Sequence, residues 1–570
     1  MERIIQSVLI LIIIITPFDY GFLDLRILTL TLLLSLTLFF FSLLKGVRNS
    51  RISFIITPFY IPLFLLLLTI GASFFYSIYP YSSLTEIMRI FSYFLIFLVA
   101  LNALSTSKFL LIFKVLVIWV TILGIYGLIE YFLARVPVVD SVFAYHNNFA
   151  CYLLLSLPLA VSLGKERKFF FWLGGFNFLV LLLTGARSSW LVFLLSLLIF
   201  IPLFIPYLKG TALKLKAVRA LIISLVVLVI SLGLLFTYDQ TFRNSALTSR
   251  TKSLLSPYKV ASVQARFKYW QTSSEIIKEN FPFGTGIQTF YQIYPKYKHS
   301  SFKSCTHHFV HNDYLQLLSE AGILGLGAFI YLIFFYLYLL FNIISRKRRK
   351  VPVFIGIAMG SVCFFLHSFL EFNIYIPALM VVLYLYFAFV SKESSLTVKN
   401  CTIPASSKKF LYPSLAVLFL LSIWIGSLPY QGQIYNNKGL KYYKNGDFLT
   451  ALESFKRASR LSPLNSYVWA NLGKTYFRLK DMERAKSTFY KAIKSNPYEA
   501  INYEMLADIY RSGSMNDKIR AVNYLERARE LNPSQDRISF KLWILYQNLG
   551  LDKKAAQKLL EKLERQKDNI

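Results

Sequence analysis

Apolar residues run along this chain in long blocks separated by short polar punctuation. The blocks fall at 3–18, 27–44, 53–75, 89–104, 109–133, 143–163, 169–184, 189–207, 219–237, 314–344, 352–371, 374–391 and 410–428. A helix needs about 20 apolar residues to cross a bilayer, and most of these blocks are close to that length. The pattern predicts an all-α membrane bundle of about 12–13 transmembrane helices. The first block resembles a signal-peptide core, but no small-x-small cleavage site follows it, so it reads as an anchor.

Beyond 430 a repeat replaces the blocks. Gly439, Tyr442, Ala451, Phe455, Ala458 and Pro463 recur 34 residues later as Gly473, Tyr476, Ala485, Phe489, Ala492 and Pro497. A third copy carries Tyr503, Leu506, Ala507, Tyr510, Ala521, Leu525, Ala528 and Pro533, and a degenerate fourth carries Tyr546, Ala555 and Leu559. The period, with small residues where paired helices touch, resembles the tetratricopeptide repeat, whose stacked hairpins offer a concave surface for a protein partner. The chain is therefore expected to divide into a transmembrane domain, 1–430, and a repeat domain, 431–570.

Composition sharpens this picture. Of the 570 residues 56% are hydrophobic and only 16% charged, which excludes a wholly soluble fold. With 52 Phe and 37 Tyr, disorder is excluded as well. Four scattered cysteines (Cys151, Cys305, Cys363, Cys401) make no disulfide scaffold. The net charge of +33 sits largely in short runs between blocks, such as Lys165–Lys168 and Arg346–Lys350. Cytoplasmic loops look like this, so nucleic acid is not an expected partner; membrane lipids are. With the N-terminus inside, Arg187, the loop 238–313 and everything after 428 lie outside. That loop holds ten basic against three acidic residues between 238 and 310, a net of +7. Either a solvated basic surface or an anionic substrate accounts for this charge.

Candidate chemistry gathers at the outer ends of the blocks. Arg187 lies in LLLTGARSSWLVF, where it can snorkel toward headgroups or grip an anion. Arg266 lies in ASVQARFKYW, read as a helix on the bundle mouth, and the following FPFGTGIQTF reads as a turn. Four of six histidines fall between 299 and 311. His307 and His311 have i,i+4 spacing, but no HExxH glutamate or third ligand accompanies them, and no metal or cofactor is expected. His311 opens HNDYLQLLSEAGILG, in which Asn312, Gln316 and Glu320 form a polar stripe. A stripe facing the bundle interior would put His311 at the mouth of a hydrated cavity, where an imidazole can act as a base. His367 and Glu371 in HSFLEFNIYIPA are one helical turn apart and could bond each other as packing glue.

The succession TGARSSW, ARFKYW with PFGTGIQTF, HNDYLQLLSEAGILG and HSFLEFNIYIPA resembles the O-antigen ligase and O-antigen polymerase superfamily, which includes bacterial protein O-oligosaccharyltransferases. Its motifs cover 187–377. The resemblance implies an inverting, metal-independent glycosyltransferase that takes a polyprenyl-diphosphate-linked glycan to an acceptor hydroxyl on the outer face of the bacterial inner membrane. It implies that Arg187 and Arg266 hold the donor diphosphate and that His311 is the base. Glu371 stands where this pattern more often has Asp. The acceptor is left open among a lipid core, a growing glycan and a protein. A transporter, or a scaffold with a partner-binding tail, is the rival of another class. A transporter should carry its ionisable groups near midplane, and a scaffold leaves the stripe and the arginines unexplained.

Overall fold

The computed structural model describes residues 2–19, 24–134, 136, 138–204, 261–298, 309–346, 351–394, 397–402 and 404–550. The expected block 219–237, the loop stretches around His299, His307 and His308, and the fourth-repeat residues Ala555 and Leu559 lie outside the described residues.

The first elements are α1 (Glu2–Ile15), α2 (Leu25–Arg48), β1 (Arg51–Ile56), α3 (Tyr60–Ala72), α4 (Pro80–Ala103), α5 (Thr106–Leu133), α6 (His146–Leu163), α7 (Lys168–Leu183) and α8 (Arg187–Phe204). Then follow α9 (Ala261–Asn280), α10 (Phe290–Tyr297), α11 (Asp313–Ser345), α12 (Val351–His367), α13 (Pro377–Ser394), β2 (Thr397–Thr402) and α14 (Ala405–Lys444). Among the described residues, α2, α4, α5, α11, α13 and α14 are long and apolar enough to cross a membrane. The all-α class holds, with one addition. Residues 51–56, at the edge of the expected block 53–75, pair antiparallel with β2, Arg51 opposite Thr402. RISFII is rich in β-branched and aromatic residues, which suits a strand better than a helix end.

Three boundaries move, each for a physical reason. Block 89–104 extends back to Pro80, because Glu86 and Arg89 pair at 3.2 Å within the helix and Arg89 also donates to the Tyr375 carbonyl. Block 352–371 ends at His367, so Glu371 stands in a loop rather than one helical turn along. The last block becomes α14, 40 residues long, which passes the expected boundary at 430 without a break.

Two glycine features set how these helices meet. Gly356 and Gly360 let α12 lie directly on α6, since a Cβ there would meet Ser162 Oγ at 2.6 Å and the Leu155 carbonyl at 2.8 Å. Gly322 kinks α11 at φ 68°, ψ −168°, a region open essentially only to glycine. The kink frees the Ser319 and Glu320 carbonyls, which accept from Thr285 and Gly286 at 3.0 and 2.8 Å. The GTG segment is thus a turn, pinned to α11. A Cβ on Gly322 would stand 2.1 Å from the Pro282 carbonyl oxygen. Gly322→Ala should therefore destabilise the protein by more than about 3 kcal/mol, read as a lowered midpoint in detergent unfolding. An unchanged midpoint would show that this contact is not what holds the kink.

The tail stacks α15 (Phe448–Leu461), α16 (Ser466–Arg478), α17 (Met482–Ser495), α18 (Ala500–Tyr510), α19 (Met515–Leu531) and α20 (Asp536–Asn548) onto the end of α14. Asp447, Asn465, Asp481 and Ser514 cap α15, α16, α17 and α19 with their side-chain oxygens. The repeated residues explain the period. Gly439 and Gly473 face the rings of Phe455 and Phe489, and Ala451, Ala485 and Ala521 are fully buried between helices.

Candidate active site

Glu371 is the hub. It lies in the loop after α12, its side chain 1% exposed, and three groups from distant segments converge on it. The Arg266 guanidinium, from α9, donates to Oε1. The Asn147 amide, from the start of α6, donates to the same oxygen at 2.6 Å. His311 Nδ1 lies 3.0 Å from Oε2. Burial by itself would raise the Glu371 carboxyl, but Arg266 foremost, and then His311, hold it down at about 2.

A carboxyl depressed in the fold stabilises it where the unfolded group is ionised, above its ordinary 4.5, and that contribution is lost as pH falls from there toward 2. The unfolding midpoint of the protein should consequently fall more steeply between pH 5 and 3 than that of Glu371→Gln. Parallel curves would show that this carboxylate adds nothing on the acid side.

His311 is held on all sides. Its backbone has φ 56°, a left-handed conformation that non-glycine residues keep only when their surroundings enforce it. Tyr269 stacks on the imidazole at 5.9 Å, and Phe372 meets it edge-on at 5.0 Å. The Trp270 indole donates to the His311 carbonyl at 3.4 Å. Asn312 caps α11, accepting from Tyr314 and Leu315 at 3.0 Å.

Arg187 opens α8 two residues after Gly185, whose φ of 63° turns the chain out of α7. Ser188 and Ser189, the residues that follow it, meet His367 Nε2 at 3.2 and 2.9 Å, which sets the start of α8 beside the loop that bears Glu371. Arg187, Arg266, His311 and Glu371 thus lie on one face of the bundle.

The rest of the polar stripe does other work than expected. Gln316 and Glu320 are fully buried and engaged with protein rather than lining a hydrated cavity. Gln316 accepts from Val310 N at 3.0 Å and donates to Glu320 at 3.2 Å. Glu320 accepts from the backbone N–H groups of Gln288 and Phe290 and from the Tyr375 hydroxyl at 2.6 Å. These bonds carry the α10 start against α11, because the Gly322 kink brings that turn within reach. His367 and Glu371 do not bond each other either. His367 Nε2 meets Ser189 and Ser188 at 2.9 and 3.2 Å, and Nδ1 meets Asn373 at 3.2 Å. It ties the TGARSSW turn to the loop that bears Glu371.

The sequence gives no role to Asn147 or Tyr269, and to Trp270 only a place on the apolar face of the helix that carries Arg266. The last two fall three and four residues after Arg266, helical spacing that puts them on its own face and could have found them. Among the described residues no group of three His, Cys, Asp or Glu side chains could hold a metal ion. A cavity of about 310 Å³, lined by Glu2, Lys45 and Asn102 among others, lies at the far ends of α2 and α4, remote from this constellation. Charge geometry, rather than cavity size, marks the site.

Fold and site define a multi-pass all-α membrane protein with a paired cation, carboxylate and imidazole group on one face and a helical-repeat tail. Residues 169–330 match a family model described as O-antigen ligase, and 436–500 match a tetratricopeptide repeat. The first match includes Arg187, Arg266, His311, Asn312, Gln316 and Glu320 and stops before His367 and Glu371. The resemblance read from the motifs holds over these residues, and the tail is a tetratricopeptide-repeat region. The ligase match supports a membrane glycan-transferring function of ligase type.

The chain is also similar to the BBSome complex member BBS4 of Bos taurus, 28% identical over 114 residues, which are 20% of this chain and 21% of that protein. It thus spans about a fifth of that relative. Similar solved structures are the first tetratricopeptide repeat of Spaghetti (RPAP3) bound to an HSP90 peptide and MamA. The former is 24% identical, covering 21% of this chain and 94% of that one, with a TM-score of 0.20. MamA is 20% identical, covering 30% and 97%, with a TM-score of 0.23.

Proposed function

We propose that this protein is an inverting, metal-independent membrane glycosyltransferase. It moves a glycan en bloc from polyprenyl diphosphate to an acceptor hydroxyl, with its site and repeat tail on the outer face of a bacterial inner membrane. The observation that carries this reading is the convergence of Arg266 and His311 on Glu371, with Arg187 beside them. Inversion needs a base on the acceptor and charge stabilisation on the departing diphosphate. Glu371 against Nδ1 selects the tautomer in which Nε2 holds the lone pair, the nitrogen that takes the acceptor proton. The acceptor oxygen bonds to the anomeric carbon as the carbon–phosphate oxygen bond breaks. Arg187 and Arg266 receive the diphosphate; a guanidinium has five donors, so Arg266 can keep Glu371 on one edge and bind phosphate on another.

The test is in vitro transfer from a lipid-diphosphate glycan to a lipid core, a lipid-linked glycan and a protein serine in turn. Transfer to one of them, surviving exhaustive chelation, supports the reading. Transfer to none, or loss on chelation with recovery by zinc, overturns it. Orientation is read separately, by impermeant thiol labelling of Ser514→Cys after the four native cysteines are replaced. Labelling only after spheroplast lysis would put the tail on the wrong side.

A further inference from the structure

The repeat tail touches the membrane unit where α19 approaches α10 and at two equivalent turns, those that follow α15 and α17. In the first, Asn465 Oδ1 accepts from the Tyr79 hydroxyl at 3.4 Å, and the Tyr467 ring meets Tyr79 edge-on at 6.2 Å. Tyr79 is only 2% exposed although it lies between helices α3 and α4. In the second, Tyr498 packs against a small apolar cluster separate from the main membrane core. That cluster consists of Tyr269 and Ile276 of α9, Phe290, Ile293 and Tyr294 of α10, and Val310. Ile78, next to Tyr79, joins it and donates its N–H to Thr285 at 2.9 Å.

This cluster is the floor beneath His311. Tyr269 belongs to it and stacks on the imidazole, and Val310 is the residue before the histidine. A left-handed histidine persists only where neighbours over-determine it. The neighbours here include Tyr269 and Trp270 of α9, and the cluster of six buried side chains holds α9 against α10 and Val310. The tail covers the side of that cluster reached by Tyr498.

We propose that the tail is a positioning element of the active site. By docking through Tyr79 and Tyr498 it fixes α9 and, through Tyr269, the imidazole of His311. The inference rests on the transferase reading above and adds a requirement: turnover depends on a docked tail, not merely on a tail that recruits a partner.

The experiment compares full-length Tyr79→Ala/Tyr498→Ala with Tyr79→Phe/Tyr498→Phe. It reads kcat and amide exchange over 309–316, where Val310 donates to Gln316 and Asp313 to the Ser368 carbonyl. The alanine pair should exchange these amides faster and lose about ten- to a hundredfold in kcat, the scale of a displacement near 1 Å at a reacting group. The phenylalanine pair keeps the packing and should stay within about threefold of the parent in kcat, the loss of one weak hydrogen bond. Unchanged exchange in the alanine pair overturns the proposal, as does faster exchange with unchanged kcat. If the alanine pair also loses protection in α4 and α12, Tyr498→Ala alone is read by the same two criteria. A parent protein that transfers to no acceptor overturns the transferase reading and with it the kinetic claim, while the exchange arm still decides whether the tail holds the His311 segment.

Discussion

Replacing His311 with alanine is expected to lower turnover by about 10²–10⁴-fold, the usual contribution of a general base. Donor binding should change little, because the diphosphate contacts are assigned to Arg187 and Arg266. His311→Gln should not restore the rate: an amide cannot take the proton, even where it replaces the Nδ1 bond to Glu371. Glu371, held at about 2, stays ionised across any working pH near neutrality, so its own titration would not account for an acid-side loss of rate. The measurement pairs single-turnover rate with donor affinity in purified, membrane-inserted protein. Near-native turnover in His311→Ala, or a loss of donor binding equal to the loss of rate, would falsify the assignment.

Arg266→Lys should cost about 10²–10³-fold in turnover although the charge is kept, the scale of losing one preorganised stabilising group. Lysine offers a point charge in place of a planar fork. At this position one ammonium would have to serve both Glu371 and the diphosphate, so Arg266 should be the more sensitive of the two arginines. Arg187→Lys should lose most activity as well. Lys296, whose amine lies 3.1 Å from Glu279 on the surface, should tolerate replacement. Donor titration of each variant separates weakened binding from weakened chemistry. Full activity in both arginine variants would mean that they only snorkel.

The spans and the tail were legible because their signals are local: apolar length for one, a 34-residue period for the other. The roles of the candidate residues were less so. Arg266, Asn147, His311 and Glu371 come from four separate segments, and no spacing announces that they meet. Glu371 reads as helical in HSFLEF because nothing in those letters shows that α12 stops at His367. The stripe of Gln316 and Glu320 reads as lining a hydrated interior, yet its work is decided by the backbone of Gly322, which brings the GTG turn against it. A glycine in an apolar run does not disclose its φ. The β1–β2 ribbon was hidden for another reason: a strand with four apolar residues in six looks like the start of the span beside it. The motif resemblance supplied the arginines and the histidine but no geometry, and so no Asn147.

An α-helix carries rotational phase as well as length, and α14 passes both from the lipid to the repeats without a joint. Each residue added to it advances the repeats by about 1.5 Å and turns them by roughly 100°. One added residue near 430 would therefore swing Asn465 and Tyr498 off the surface they touch. Seven, close to two full turns, would nearly restore their direction but lift them by about 10 Å. Neither leaves both turns seated. The number of residues between the membrane and the first repeat is thus not free to drift as a linker's would be, and homologous tails grafted here should work only in step with it.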